Sequence, residues 1–200
     1  MKTIFLLRHE ECDSRGYTGA GSDVDLTAKG RTRAALKAGQ FNRNGVNLIF
    51  TSPMRRCVDT AAPIAEAFGL KPIHAEELKE INFGLWEGRT YDEINDESPE
   101  LLTDWLSAPA EHSPPEGETL RQLYERVENF WNKQVVLCHE PAILIISHGG
   151  PIRTLLSILS GGGIENHWAF HIDRGNFCRI QMFEDGKYQI SGTNLKQITE

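Results

Sequence analysis

The chain has 200 residues and a formal net charge of −7 at pH 7, with 40% hydrophobic and 24% charged residues. This length suits one α/β domain, and the composition is that of an ordinary globular protein. The negative charge argues against broad binding to nucleic acid or to anionic membranes, because no general basic field is available, but it leaves room for a local basic pocket that binds a small anion.

Cysteine usage and hydropathy indicate the compartment. Four cysteines are scattered singly and match neither a zinc site nor a CxxC motif, which favours reduced thiols. No apolar segment is long enough to span a membrane. We therefore expect a cytoplasmic protein that has neither a nucleic-acid nor a membrane partner.

The first predicted element is a buried strand, Thr3–Leu7, which ends at Arg8 and His9. Its continuous apolar run is typical of a strand that is covered on both faces of a parallel sheet. A polar, glycine-rich loop follows, and Thr27 is the expected N-cap of a helix that ends near Phe41. His9 is thus predicted to lie at the carboxyl end of a central strand.

A second buried strand is predicted at Asn47–Thr51, and a helix is expected from Ser52-Pro53 to about Phe68. The free N–H groups and the dipole at a helix N-terminus favour anions. Arg56 lies one turn into this helix and carries a planar fork suited to phosphate. After the helix, Leu70–Ala75 is predicted to form a short edge strand.

Residues 76–118 follow an irregular, proline-rich pattern, which indicates an insertion or lid within a single domain that spans 1–200. This segment contains Glu80 among aromatic and apolar neighbours. Such surroundings suit a carboxyl group that acts as a proton donor. Glu80 is therefore a candidate for acid catalysis.

A long amphipathic helix is predicted from Leu120, with Thr119 as its capping residue. The next strand, Ala142–Ile146, ends in Ser147-His148-Gly149-Gly150, and a helix is expected from Pro151 to Leu159. The small residues after His148 allow a ligand to approach the backbone closely. Two final strands are predicted as a hairpin that turns at Asp185-Gly186: Arg179–Phe183 and Tyr188–Ser191.

Strands that alternate with helices predict a three-layer α/β/α domain with a mostly parallel sheet. In open α/β sheets, ligands bind beyond the carboxyl ends of the strands. His9 and His148 follow two such strands, so we expect them to lie together in an active site.

Four motifs, in this order, resemble those of the histidine phosphatase superfamily, which has the phosphoglycerate mutase-like fold. They are Arg8-His9, the Ser-Pro-x-x-Arg pattern at 52–56, the Glu-x-x-Phe-Gly-x-Trp-Glu-Gly pattern at 80–88, and Ser147-His148-Gly149-Gly150. Together these motifs cover most of the chain. The joint pattern is far more specific than any one of them.

The resemblance implies that His9 is a nucleophile that becomes phosphohistidine and that Glu80 is the proton donor. It implies a phosphate pocket and substrate contacts formed by Arg8, Arg56, His148, Gly149 and Arg15. The expected partner is a small phosphorylated metabolite, and a homodimer is left open. No metal or cofactor is expected, in agreement with the absence of ligand clusters from the sequence.

Glu10 departs from the pattern of this family, which usually has glycine after the catalytic histidine. Its carboxylate either enters the pocket and repels the substrate phosphate, or turns away and pairs with an arginine such as Arg15. The first orientation would lower activity or shift the substrate preference.

The chain lacks the basic insertion that phosphoglycerate mutases carry. Pro114–Leu120 instead resembles a Pro-x-Gly-Glu-Ser stretch of short phosphatases, among them the α-ribazole phosphatases of cobalamin nucleotide-loop assembly. A metal-independent phosphomonoesterase acting on α-ribazole 5'-phosphate is therefore the leading interpretation. A phosphoglycerate mutase and a non-catalytic domain that binds a phosphorylated ligand remain the alternatives.

Overall fold

The computed structural model describes residues 1–41 and 45–197 of the chain. Six strands form one sheet: β1 (Lys2–Arg8), β2 (Leu48–Thr51), β3 (Ile73–His74), β4 (Ala142–Ser147), β5 (Phe177–Met182) and β6 (Tyr188–Leu195). Their order across the sheet is β3-β2-β4-β1-β5-β6. Strands β3, β2, β4 and β1 pair in parallel, whereas β5 is antiparallel to both of its neighbours. The predicted mostly parallel sheet is confirmed.

In the part of the chain that the structure describes, six α-helices surround the sheet: α1 (Ala28–Phe41), α2 (Arg55–Phe68), α3 (Tyr91–Glu97), α4 (Pro99–Ser107), α5 (Leu120–Phe130) and α6 (Gly149–Leu159). A π-helical segment, Trp131–Val136, continues α5. Short 3-10 turns lie at Glu76–Leu78, Gly84–Trp86 and Ile164–Ala169. None of the helices within the described ranges is long and apolar enough to cross a bilayer.

The alternation of side chains along β1 explains the three layers. Ile4 and Leu6 pack into a cluster with residues of α5 and α6, and Phe5 and Leu7 pack into a second cluster with residues of α1 and α2. Successive side chains of a strand point to opposite faces, so the apolar run of β1 contributes to both cores. All four side chains are fully buried, and each such burial stabilises the fold by about 1.5–3 kcal/mol.

The expected start of α2 at Ser52-Pro53 is wrong, because this helix begins at Arg55. The Ser52 N–H donates to the carbonyl of Ile146 at 2.9 Å, which continues the hydrogen bonding of β2 with β4. Met54 is still extended, with φ −67° and ψ 138°. Because the helix starts later than predicted, the Ser52 hydroxyl lies at the end of β2.

Other boundaries also differ from those expected. Helix α6 begins at Gly149 rather than Pro151, because the His148 carbonyl already accepts a hydrogen bond from the N–H of Ile152. The edge strand β3 is shorter than predicted, because only Ile73 and His74 pair with β2. The predicted caps are confirmed: the Gly30 N–H donates to Thr27 Oγ1, and Thr119 forms a capping box on α5. The final hairpin is confirmed. Its first strand begins two residues earlier than expected, at Phe177, and its second strand extends to Leu195 instead of Ser191.

The segment 76–118 contains α3, α4 and two of the 3-10 turns. Its own small core is formed by Trp86, Ile94, Leu102 and Trp105. The Arg126 guanidinium of α5 holds the start of the segment by donating to the carbonyls of Glu77, Lys79 and Glu80. These hydrogen bonds position Glu80 relative to the sheet. Movement of the segment as a lid stays a prediction.

Candidate active site

The two histidines predicted from strand ends lie next to each other. Strands β1 and β4 are parallel neighbours with Arg8 opposite Ser147, so the next residue of each strand reaches the same edge of the sheet. The His9 N–H donates to the Ser147 carbonyl at 2.9 Å. The ring centroids of His9 and His148 are 5.1 Å apart. The structure therefore brings both imidazoles together, as the strand pattern predicts.

His9 presents an unprotonated ring nitrogen. Its Nδ1 lies 2.7 Å from the carbonyl oxygen of Glu10. A carbonyl only accepts hydrogen bonds, so Nδ1 carries a hydrogen, and in the neutral ring the lone pair is then on Nε2. Burial holds the pKa of His9 well below its usual value, and the positive charges of Arg56, Arg8 and Arg174 add to this effect. The neutral imidazole can therefore act as a nucleophile without first losing a proton.

His148 is held in the opposite tautomer. The buried Arg56 donates from Nε to His148 Nδ1 at 3.1 Å. A guanidinium only donates, so His148 carries its hydrogen on Nε2, which lies 2.9 Å from Ser52 Oγ. Burial lowers the pKa of His148 well below its usual value, and the neighbouring His9 and Arg56 lower it further. Both imidazoles are therefore neutral and locked in orientation.

Arg8 contributes a second guanidinium. Its Nη1 donates to the Ile172 carbonyl at 2.7 Å, whereas its buried Nε has no hydrogen-bond partner within the part of the chain that the structure describes. The guanidinium carbon lies 3.4 Å from the position that a Cβ on Gly149 would occupy. A side chain larger than methyl at 149 would therefore displace Arg8. An unpaired N–H on a buried cation indicates a place for an anionic ligand.

Glu80 is fixed at the start of α6. Its carboxylate accepts hydrogen bonds from the N–H groups of Gly150 (3.0 and 3.2 Å) and Ile81 (3.0 Å). A Cβ on Gly150 would lie 2.2 Å from Glu80 Oε1, so glycine is required for this approach. The cluster thus combines a neutral nucleophile, two guanidinium groups and a carboxyl group, which suits phosphoryl transfer.

A cleft of about 70 Å³ adjoins Glu80. Its walls are mainly aromatic and apolar: Ile81, Phe83, Trp105, Pro109, Leu120, Leu123 and Trp168. Arg153 also lines it, with its guanidinium 5.3 Å from the centre of the Trp168 ring. The lining of this cleft favours an apolar group next to the Glu80 carboxylate.

Glu10 turns away from the histidines. Its side chain is 2% exposed, with Oε1 at 4.0 Å from Lys37 Nζ on α1. The carboxylate packs against Gly175, where a Cβ would lie 2.2 Å from Oε1. Burial raises the pKa of the Glu10 carboxyl, although the charge of Lys37 opposes this shift. Of the two orientations left open by the sequence, the structure shows the turn away from the pocket, but the partner is a lysine of α1 and not Arg15.

Arg15 is the predicted site residue that the structure does not bring into the cluster. Its guanidinium is largely exposed and forms an ion pair with Glu93 of α3. Contact between Arg15 and a substrate therefore stays a prediction. The other predicted residues converge: Arg8, His9, Arg56, Glu80, His148 and Gly149.

Sequence reasoning missed three residues that act around this cluster. Ser52 belongs to a motif that is typical of a helix start, and this pattern does not predict its contact with His148. Glu87 stands in the third motif without an assigned role. Arg174, whose charge lowers the pKa of His9, follows no motif, and only the fold brings it near.

We expect Glu10→Gly to change the inhibition constant of inorganic phosphate by less than about threefold, because the carboxylate faces α1 and the charge of Lys37 offsets its field at the phosphate site. Competitive inhibition measured at low and at high salt checks this result. Glu11→Gln is the matched control, since Glu11 is the adjacent carboxylate and pairs with Lys29. A salt-sensitive gain in affinity of about tenfold would instead show that Glu10 reaches the phosphate.

Comparisons with known proteins agree with this geometry. The model of the histidine phosphatase superfamily (branch 1) matches residues 4–196. Phosphoserine phosphatase 1 of Hydrogenobacter thermophilus is 30% identical over 187 residues, which are 92% of this chain and 88% of that protein. Adenosylcobalamin/alpha-ribazole phosphatase of Escherichia coli is 27% identical over 181 residues, or 90% of this chain and 89% of that protein.

The fold is also that of a solved phosphatase. The crystal structure of the alpha-ribazole phosphatase from Shigella flexneri superposes with a TM-score of 0.91 at 26% identity, covering 99% of this chain and 98% of that one. The family match spans nearly the whole chain and includes every residue of the histidine cluster. The chain therefore belongs to branch 1 of the histidine phosphatase superfamily and is a phosphomonoesterase.

Proposed function

We propose that this protein hydrolyses a small phosphorylated metabolite through a phosphohistidine on His9, without a metal ion. The observation that carries this proposal is the hydrogen bond from His9 Nδ1 to the Glu10 carbonyl, which leaves the Nε2 lone pair available beside two guanidinium groups. Nε2 attacks phosphorus, and the bond from phosphorus to the ester oxygen breaks. Glu80 protonates the departing oxygen.

In the second step, Glu80 takes a proton from water, whose oxygen attacks the phosphorus of phosphohistidine. The bond from phosphorus to Nε2 breaks, so His9 returns to its neutral state and inorganic phosphate is released. Arg8 and Arg56 stabilise the charge on the equatorial oxygens in both steps. The backbone at Gly149 completes the phosphate pocket, and His148 borders the pocket and accepts a hydrogen bond from Arg56 Nε.

We propose α-ribazole 5'-phosphate as the substrate, which would give the protein a role in cobalamin nucleotide-loop assembly. The aromatic walls of the cleft beside Glu80 support this assignment, because Phe83, Trp105 and Trp168 suit the planar base of such a leaving group. The names of the Shigella flexneri and Escherichia coli proteins point in the same direction. A cytoplasmic location is part of the proposal and is supported by the four cysteines, all free thiols.

Phosphoserine is the second candidate, and Arg153 is the observation that favours it. This guanidinium lines the same cleft, where it could pair with the carboxylate of an amino-acid substrate. The name of the Hydrogenobacter thermophilus relative agrees with this alternative. Arg153 therefore distinguishes the two candidate substrates. Phosphoserine has a carboxylate that can pair with this guanidinium, whereas α-ribazole 5'-phosphate has an aromatic leaving group without a carboxylate.

The test is a comparison of kcat/KM for a panel of phosphate esters in the presence of EDTA: α-ribazole 5'-phosphate, phosphoserine, 3-phosphoglycerate and p-nitrophenyl phosphate. We expect α-ribazole 5'-phosphate to exceed phosphoserine by about tenfold or more, the scale on which apolar pockets discriminate. Arg153→Gln should leave this preference intact.

Three results would overturn the proposal in different ways. Preference for phosphoserine that Arg153→Gln removes would establish the second candidate. Conversion of 3-phosphoglycerate to its isomer without release of phosphate would indicate a mutase. Tight phosphate binding without turnover of any ester would indicate a non-catalytic domain.

A further inference from the structure

The carboxylate of Glu87 accepts four hydrogen bonds. Oε2 receives the N–H of Gly19 at 2.8 Å and the Ser22 hydroxyl at 2.5 Å. Oε1 receives the N–H groups of Gly21 at 3.0 Å and Phe83 at 3.1 Å. Three of these donors belong to the loop 19–22, far from Glu87 in sequence. One side chain of the segment 76–118 therefore holds a loop that lies between β1 and α1.

The loop fits closely around this carboxylate. A Cβ on Gly19 would lie 2.0 Å from the Ile81 carbonyl oxygen and 2.6 Å from Glu87 Oε1. A Cβ on Gly21 would lie 2.9 Å from Glu87 Cγ. Because real Cβ atoms do not approach other atoms so closely, glycine is needed at both positions. The shape of the loop is thus matched to Glu87.

The opposite side of the same loop holds Arg56. The carbonyl of Ser22 accepts from Arg56 Nη1 at 2.7 Å, and the carbonyl of Gly19 accepts from Nη2 at 3.2 Å. The loop is therefore polarised between an anion and a cation, with N–H groups directed at Glu87 and carbonyls directed at the guanidinium. A guanidinium has five N–H bonds. With Nε donating to His148, three are used by contacts among the described residues and two remain for a phosphate.

We propose that Glu87 is a positioning residue, which aims the guanidinium of Arg56 at the substrate phosphate through the loop 19–22. The inference rests on the proposed function, because it assumes that the site binds phosphate. Without the carboxylate, the N–H groups of Gly19 and Gly21 lose their acceptor, and the carbonyls that hold Arg56 lose their fixed orientation. The two N–H bonds of Arg56 that bind phosphate would then be aimed less accurately.

The experiment compares Glu87→Gln with wild type by two measurements, calorimetric binding of inorganic phosphate and kinetics with p-nitrophenyl phosphate. The amide of glutamine turns an acceptor into a donor that faces other donors. We expect the dissociation constant of phosphate and KM to rise together by about tenfold, which corresponds to about 1.4 kcal/mol, with a smaller change in kcat. Glu87→Asp keeps the charge and should recover part of the affinity.

Glu97→Gln is the matched control, because Glu97 lies in the same segment and pairs only with Arg89 at the surface among its described contacts. It should leave phosphate affinity unchanged. If Glu87→Gln does not fold, Ser22→Ala serves in its place, since it removes one hydrogen bond to Glu87 and keeps the Ser22 carbonyl. We expect it to weaken phosphate binding about two- to fivefold, the scale of a single modest hydrogen bond.

A double-mutant cycle with Arg56→Lys decides whether Glu87 acts through Arg56. The two effects on phosphate affinity should be far from additive, as expected for residues that act through one contact. Additive effects, or a lower melting temperature with unchanged phosphate affinity, would overturn the inference. Phosphate binding needs no turnover, so a wild-type protein that binds phosphate without hydrolysing esters would refute the proposed function and still test Glu87. A wild-type protein that binds no phosphate would refute both.

Discussion

Replacing His9 with alanine should abolish ester hydrolysis while leaving the protein folded. Among the described residues, His148 is the imidazole next to His9, and its Nδ1 is already occupied by the N–H of Arg56. Loss of a covalent nucleophile lowers kcat by several orders of magnitude. Hydrolysis of p-nitrophenyl phosphate in the presence of EDTA measures the loss, and a melting curve checks the fold.

His139→Ala is the matched control for this experiment, because His139 is exposed and lies before β4, away from the carboxyl ends of the strands. Its activity should equal that of wild type. Brief incubation with labelled substrate should place an acid-labile, base-stable label on His9. Label on Glu80 or Cys12, or substantial turnover by His9→Ala, would show that the nucleophile lies elsewhere.

Glu80→Gln should slow the hydrolysis of alkyl phosphates by about 10²-fold or more, because proton donation matters most when the departing oxygen is basic. Hydrolysis of p-nitrophenyl phosphate should fall much less, since nitrophenolate leaves without help. The amide of glutamine is nearly the same size as the carboxyl group, and its oxygen can still accept from the Gly150 N–H. The substitution therefore removes the proton with little change in packing.

The measurement compares kcat/KM for an alkyl and an aryl ester in wild type, Glu80→Gln and Glu76→Gln. Glu76 is a suitable control because its carboxylate is exposed and pairs with Lys79 in the same turn. It should behave as wild type with both esters. Equal losses with both esters in Glu80→Gln would remove Glu80 from the role of proton donor.

The orientation of Glu10 shows where sequence reasoning reached its limit. The departure from glycine was visible, and so were the two directions that its carboxylate could take. The choice depended on Lys37 and Gly175, which reach Glu10 only in the folded chain. A buried carboxylate turns to the nearest cation and to the space that a glycine leaves, and neither is encoded near position 10. The predicted partner Arg15 was close in sequence but pairs with Glu93.

The start of α2 illustrates the same limit on a smaller scale. Ser52-Pro53 has the local pattern of a helix start, which predicted the wrong boundary. Pairing of Ser52 with β4 keeps the chain extended for longer, so that its hydroxyl contacts His148. The partner strand lies about ninety residues away in sequence, beyond any local pattern.

Local sequence patterns were enough to predict the layered α/β class and the proximity of His9 and His148. Both follow from local information, because an apolar run marks a buried strand and a parallel sheet gathers its strand ends at one edge. The tautomers of the two imidazoles, the direction of the Glu10 carboxylate and the contacts that join Glu87 to Arg56 are visible only in the folded chain. These depend on hydrogen bonds and charges between residues that are distant in the chain, and hydrogen bonding is strongly directional. Hydrophobic burial lacks such directionality, and for that reason the pattern of apolar residues could predict the sheet but not the geometry of its active site.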